Sequence, residues 1–147
     1  MQNEITIRPM RLDDLETVYQ LERRLFPNPW PKCFFENDLK LPNTIALVAE
    51  DNGVVFGYAL ATYVDAGFHI TNIGIDAKYQ RRGVATRFMA DLEQEAKEIA
   101  CSYAYLEVRT HNTAAIAFYK KLGYRIDHVH ELYYIDGDDA YVMQKEL

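Results

Sequence analysis

The chain has 147 residues, 49% of them hydrophobic, enough for one domain with a real core; no low-complexity run or linker divides it, so residues 1–147 read as a single domain. Sixteen basic residues against twenty-two acidic ones leave a net charge of −6, which opposes nucleic-acid binding over the whole surface and requires any polyanion to be met locally. No run of about 18 apolar residues that could span a bilayer occurs, and the start MQNEITIRPM lacks the apolar stretch of a signal peptide, so a cytoplasmic protein with no membrane partner is expected.

Along the chain, EITIRPM alternates like an edge strand. RLDDLETVYQLERRLF follows with Leu12, Leu15, Val18, Tyr19 and Leu25 near helical spacing, acids early and arginines late, which is a helix pattern. Pro27-Asn28-Pro29-Trp30-Pro31 is a stiff loop, because each proline lacks an N–H and pushes its predecessor out of the helical region. Pro31 can open a short helix through Phe34, Phe35 and Leu39 that ends near Leu41-Pro42. TIALVAE and VVFGYALATYV form a hairpin around Asp51-Asn52-Gly53, since Asn-Gly supplies the positive φ angles of a tight turn. FHITNIGID is the next strand, and from Gly83 to Ala100 the residues Ala85, Phe88, Met89, Leu92, Ala96 and Ile99 trace one helical face. YAYLEVRT is a strand, Asn112 to Leu122 a helix closed by Gly123, and YRIDHVHELYYI and DAYVMQKEL are two strands joined at Asp136-Gly137. Cys33 and Cys101 have no metal-site spacing and read as reduced, partly buried thiols; no metal is expected, and the four histidines, His69, His111, His128 and His130, are scattered.

The turn YQRRGVAT, Tyr79 to Thr86, joins a strand to the most clearly patterned helix. The first amides of a helix lack partners within it, and with the helix dipole they attract anions. Gly83 allows close backbone approach, and Lys78, Arg81, Arg82 and Arg87 add charge, so the turn can cradle a multiply charged phosphate. A solvated basic turn fits the bare pattern equally well, and neither GxGxxG nor a Walker loop occurs.

The Q-x-x-G-x-A pattern of Gln80 to Ala85 resembles the acetyl-coenzyme A loop of the GNAT family of N-acetyltransferases. LEVRTHNTAAIAFYKKLGY, Leu106 to Tyr124, is similar to the L-E-V-R, N-x-x-A-I-x-x-Y, L-G-F/Y block of protein N-terminal acetyltransferases, and YYIDGDDAYVMQKEL to the closing hairpin of the ribosomal-protein-alanine enzymes. The resemblance implies a mixed α/β sheet of about seven strands with four helices. It implies acetyl-CoA as donor, held by Ile73, Gly74, Ile75, Gln80, Arg81, Arg82, Gly83, Val84, Ala85, Thr86, Asn112 and Tyr119. It also implies transfer to the α-amino group of a protein or peptide, a ribosomal protein with N-terminal alanine among the acceptors; a monomer or weak dimer is expected. Asn72-Ile73-Gly74-Ile75 stands where the ribosomal-protein enzymes more often show N-I-A-V, and the Pro27 to Pro31 loop carries an additional proline.

Within that resemblance Glu107 is the base that takes the amine proton and Tyr119 the acid that meets the departing thiolate. A partly buried carboxylate would have its pKa raised toward working pH. From the residues alone, Glu107 reads sooner as a strand-edge glutamate in an ion pair with Arg109 or Arg125, and Tyr119 as core beside Phe118 and Leu122. The family places the acceptor between Phe26, Pro27 and Asn28 on one side and Tyr133 and Tyr134 on the other. Adjacent strand residues point to opposite faces, so both tyrosines line a groove only if that strand is twisted or frayed. An α-amine with pKa near 7.7–8.0 is on the order of a tenth neutral at pH 7, against less than about a thousandth for lysine, which suits a modest base. Two other readings are a small-molecule amine acetyltransferase, whose acidic cleft Asp136, Asp138 and Asp139 could supply, and a non-catalytic acyl-CoA-binding module.

Overall fold

The computed structural model describes residues 4–147. The elements are β1 (Ile5–Pro9), α1 (Leu15–Leu25), α2 (Lys32–Lys40), β2 (Thr44–Asp51), β3 (Val54–Val64), β4 (Gly67–Ile75), α3 (Val84–Glu98), β5 (Tyr103–Arg109), α4 (Thr113–Lys121), β6 (Arg125–His130) and β7 (Ala140–Glu146), with 3₁₀ turns at Leu12–Asp14 and Ala77–Tyr79. The seven strands form one mixed sheet in the order β1-β2-β3-β4-β5-β7-β6.

Asn52 and Gly53 take φ of 50° and 81°, the left-handed pair that lets β2 turn tightly into β3. Gly123, at φ 98°, ends α4 as a left-handed cap whose N–H donates to Lys120 O. The first helix starts later than its pattern suggests: Leu12 belongs to the 3₁₀ turn and is 64% exposed, while Leu15, Val18 and Leu21 are buried. Asp14 explains the delay, because its carboxylate accepts from the Arg11 N–H and both terminal nitrogens of Arg8, tying this turn to β1. Pro31 is the N-cap of α2, and Cys33 is exposed whereas Cys101 is buried.

Two cores sandwich the sheet. On one face α3 and α4 bury Phe68, Phe88, Met89, Leu92, Leu106 and Met143; on the other, α1 and α2 bury Val18, Leu21, Phe35, Tyr58 and Leu60. Each such side chain contributes about 1.5–3 kcal/mol by leaving water.

The feature that creates a site is the separation of β4 from β5. These parallel strands pair only over Gly67–His69 and Tyr103–Tyr105, then diverge, so Ile70 to Ile75 and Leu106 to Arg109 form the walls of a wedge. A bulge at Thr71 shapes one wall: Leu60 faces Asn72 and Ala61 faces Ile70, with the Thr71 hydroxyl donating to Leu60 O. The extra residue changes the alternation. Phe68, Ile70, Ile73 and Ile75 pack toward α3, which turns His69, Asn72 and Gly74 to the α1 side. Gly74 is required there, because a Cβ would overlap the Tyr58 hydroxyl.

Candidate active site

The turn after β4 is braced from within. The Gln80 side-chain amide donates to Ile75 O at 3.0 Å, so this residue, expected to contact the donor, fastens the turn to the strand end instead of projecting from it. Arg81 (φ 64°) and Gly83 (φ 79°) are both left-handed, which curls the backbone into the start of α3. Gly83 caps α3 without a side-chain hydrogen bond, and a Cβ there would meet nothing within 4 Å. Among the described residues, nothing accepts the N–H groups of Val84, Ala85 and Thr86; the first helical bond is Arg87 N–H to Gly83 O. The Arg82 guanidinium lies 5.1 Å from the ring centroid of Tyr79, which is stacked on Phe56 and donates its hydroxyl to Asp51. The result is an open nest of free amides beside exposed Arg81 and Arg82, which fits a pyrophosphate. Next to it, Ile73, Gly74 and Ile75 have no partner strand on the wedge side and present backbone groups to anything lying there.

The base of the wedge holds a polar cluster. Tyr103, Tyr105, Glu107 and Arg109 alternate with the buried Ala104, Leu106 and Val108, so they share the α1 face of β5. Glu107 Oε1 lies 2.6 Å from His69 Nε2 and accepts from the Tyr133 hydroxyl at 3.2 Å, with the glutamate side chain only 10% exposed. Among the described residues Oε2 has no partner, so one carboxylate oxygen is fixed and the other is available. Neither arginine considered as a partner for Glu107 is used: Arg109 binds Asp136 and Asp138, and Arg125 lies 3.7 Å from Glu146. His69 is stacked on Tyr105, ring centroids 4.4 Å apart and nearly parallel. In the sequence it is one of four scattered histidines, because its meeting with Glu107 depends on pairing with a strand 38 residues away. The usable signal was parity: in FHITNIGID it is the polar residue opposite Phe68 and Ile70.

Tyr119 is half-buried on α4, in edge contact with Phe118 and Tyr124. Burial, with a smaller contribution from the neighbouring Tyr134, pushes its hydroxyl up to about 12. Asn112 does not lie in the first turn of α4 but caps it, with Oδ1 accepting from the Ala115 N–H at 3.2 Å and its amide nitrogen left outward.

The acceptor-side residues converge, in a form that alternation on a strand does not describe. β6 stops at His130, and Tyr133 and Tyr134 sit in the loop before β7, rings 5.0 Å apart and perpendicular. Off the strand, both can face the wedge: Tyr133 reaches Glu107, and Tyr134 stacks on Arg109 at 4.0 Å. Phe26, Pro27 and Asn28 are exposed on the opposite loop, where the Asn28 side-chain amide donates to Asp136 at 3.4 Å. That loop is anchored beneath by Glu22, a buried carboxylate on α1 that accepts from the Trp30 N–H, the Asn72 amide and the Tyr58 hydroxyl. The aspartates proposed as an acidic cleft are engaged: Asp136 and Asp138 with Arg109, Asp138 also with His111, and Asp139 with the Leu132 N–H.

A nest of free amides at a helix start, a split between parallel strands and a carboxylate at the base of that split fit an acyltransferase. The model of the acetyltransferase (GNAT) family matches residues 15–124, and the chain belongs to that family. It is an acetyltransferase that uses acetyl-CoA. The chain is 35% identical over 98% of its length to an N-alpha-acetyltransferase of Sulfurisphaera tokodaii, of which 94% is covered. It is 32% identical over 97% of its length to an N-alpha-acetyltransferase of Mycobacterium tuberculosis, with 92% of that protein covered. Its fold superposes with a TM-score of 0.89 on the ribosomal-protein-alanine N-acetyltransferase of Escherichia coli, at 29% identity, covering 97% of this chain and 94% of that one. Among the described residues no helix is long and apolar enough to cross a membrane, and no cluster of His, Cys, Asp and Glu suits a metal.

Proposed function

We propose that the protein acetylates the α-amino group of polypeptide N-termini, with a ribosomal protein beginning in alanine as the specific acceptor. The observation that carries this reading is Glu107, held on one oxygen by His69 and Tyr133 with the other oxygen free, at the meeting point of two aromatic loops. The names of the relatives, N-alpha-acetyltransferase and ribosomal-protein-alanine N-acetyltransferase, support the acceptor class. Action in the cytoplasm as a monomer or weak dimer completes the proposal.

Acetyl-CoA supplies the acetyl group and leaves as the thiol. The amides of Val84 to Thr86 hold its pyrophosphate, Arg81 and Arg82 add charge beside it, and the Ile73 to Ile75 backbone and the Asn112 amide line the path inward. Glu107 takes the proton from the acceptor amine through its free oxygen, so that the nitrogen lone pair is available as the new C–N bond forms. His69, in contact with the other oxygen, keeps that carboxylate oriented. Tyr119 would supply the hydroxyl that meets the departing sulfur. At about 12 it is a weaker acid than a free thiol at about 8.5, so it would first stabilise the departing thiolate by a donated hydrogen bond and, as general acid, would pass its proton only where the site holds that thiolate more basic than it is in water. Phe26, Pro27, Asn28, Tyr133 and Tyr134 form the walls along which an extended acceptor lies.

The small-amine alternative is disfavoured because the aspartates of its acidic cleft are already engaged, Asp136 and Asp138 by Arg109 and Asp139 by the Leu132 N–H. A thiol-release assay with acetyl-CoA tests the proposal, using peptides with free and blocked N-termini beside lysine-bearing and polyamine controls. Free N-termini react and blocked ones do not; equal reaction of both refutes it.

A further inference from the structure

We infer that Arg109 is a positioning residue that builds the acceptor groove, setting the pose of Tyr134 and drawing the loop before β7 onto the loop after α1. This deepens the function proposed above and rests on it.

The geometry starts from strand alternation. Glu107 and Arg109 point to the same face of β5, and Tyr133 and Tyr134 are consecutive in the loop. The first pair holds the second, since Tyr133 donates to Glu107 while Tyr134 lies with its ring 4.0 Å from the Arg109 guanidinium carbon. Two side chains of a rigid strand therefore orient two side chains of an irregular loop. Arg109 pairs across the sheet with Ala140, the first residue of β7, so it stands beside the base of the loop it organises.

Its other contacts fold the loop on itself. One terminal nitrogen of Arg109 donates to both oxygens of Asp136, at 3.0 and 2.9 Å, and to Asp138 at 2.7 Å. Asp136 then accepts from the Asp138 N–H, and the Tyr134 N–H donates to Asp138 O, closing a turn around Gly137. Arg109, ahead of that N–H, holds the Asp136 carboxyl below its usual range; His111, ahead of Arg109, does the same for Asp138. Asp136 also accepts from Asn28, across 108 residues of sequence, which links the two walls. Arg109 has no role in the transfer chemistry: Glu107 and Tyr119 take that, and the guanidinium is engaged by the loop. Its planar face and one terminal nitrogen are both in use, and a lysine, with a point charge and no flat face, would keep the attraction and lose the stack.

Arg109→Lys and, as a milder second variant, Asp136→Asn are compared with the wild-type chain in steady-state kinetics with acetyl-CoA and a free-amine peptide. Hydrogen–deuterium exchange of residues 131–139 is followed without substrate. Arg109→Lys is expected to raise the peptide KM about tenfold and Asp136→Asn about threefold. In both, the KM for acetyl-CoA stays within about twofold, and the Leu132 and Tyr134 amides exchange faster. An unchanged peptide KM with unchanged exchange overturns the inference. So does a rise of both KM values together with a fall in Tm, which a general structural role would produce. If the wild-type chain fails to acetylate the peptide, the proposed function falls, and the exchange result alone then decides whether Arg109 holds the loop.

Discussion

Replacing Glu107 by glutamine keeps the shape of the cluster and removes the proton acceptor. The amide oxygen can take the place of Oε1, where it still accepts from the Tyr133 hydroxyl and still meets His69 Nε2, so the fold is expected to hold, with Tm within a few degrees. Turnover must then draw on amine that is already neutral. With an α-amine pKa near 7.7–8.0 that is on the order of a tenth of the acceptor at pH 7, and a positioned base is worth about 10²–10⁴ in rate. His69 remains in place but has lost the carboxylate that oriented it, so the loss should fall in the lower part of that range, about 10²–10³ in kcat at pH 7, equivalent to about 3–4 kcal/mol in the barrier. The pH dependence has a definite sign. As pH rises from 7 to 9 the acceptor becomes mostly neutral without help, so the deficit should shrink, by up to about tenfold, while the KM for acetyl-CoA stays near the wild-type value. Stopped-time thiol release at pH 7, 8 and 9, on the same peptide, reads all three quantities. A loss of less than about fivefold at pH 7, or an equal deficit at pH 7 and 9, refutes Glu107 as the proton acceptor.

The Tyr119 hydroxyl, raised to about 12 by burial, should stay protonated through pH 10, so ultraviolet titration of Tyr119→Phe should lose a phenol that ionises near 12 rather than one near 10. Gly74→Ala drives a methyl group into the hydroxyl of the fully buried Tyr58, which Glu22 holds in place. It should cost about 1–3 kcal/mol in urea denaturation, and the double variant with Tyr58→Phe should lose less than the sum of the singles. Asp14 is held below the usual carboxylate range, first by its hydrogen bonds from Arg8 and then by the Arg11 N–H. A carboxylate lowered in the folded state contributes its stability above its unfolded pKa and loses it as pH falls through the folded one. Asp14→Asn should therefore be less stable than wild type by about 2 kcal/mol at pH 7, with the gap closing below about pH 4.

Much of the candidate site's geometry is legible in the sequence because its parts are local. The turn from Gln80 to Thr86 needs only the strand before it and the helix after it, and the left-handed angles at Arg81 and Gly83 agree with the glycine there. Glu107 and Tyr119 were named through a resemblance that spans neighbouring elements. What escaped depends on contacts between distant segments. The pairing of His69 with Glu107 requires the short parallel register of β4 and β5, and the reason for Gly74 lies in a tyrosine on β3. The Thr71 bulge reverses the alternation that would otherwise assign faces along β4. Tyr133 and Tyr134 looked like strand residues because the hydrophobic run continues past His130. Arg109, two aspartates and Gly137 fold that stretch into a loop, and none of those contacts is visible as a period.

The most direct measurement is to locate the acetyl group by tandem mass spectrometry on a peptide that begins with alanine and carries an internal lysine, after reaction with acetyl-CoA. The label is expected on the α-nitrogen of the alanine and absent from the lysine side chain. Acetyl found mainly on the lysine ε-nitrogen, or on neither amine while a polyamine control reacts, contradicts the account.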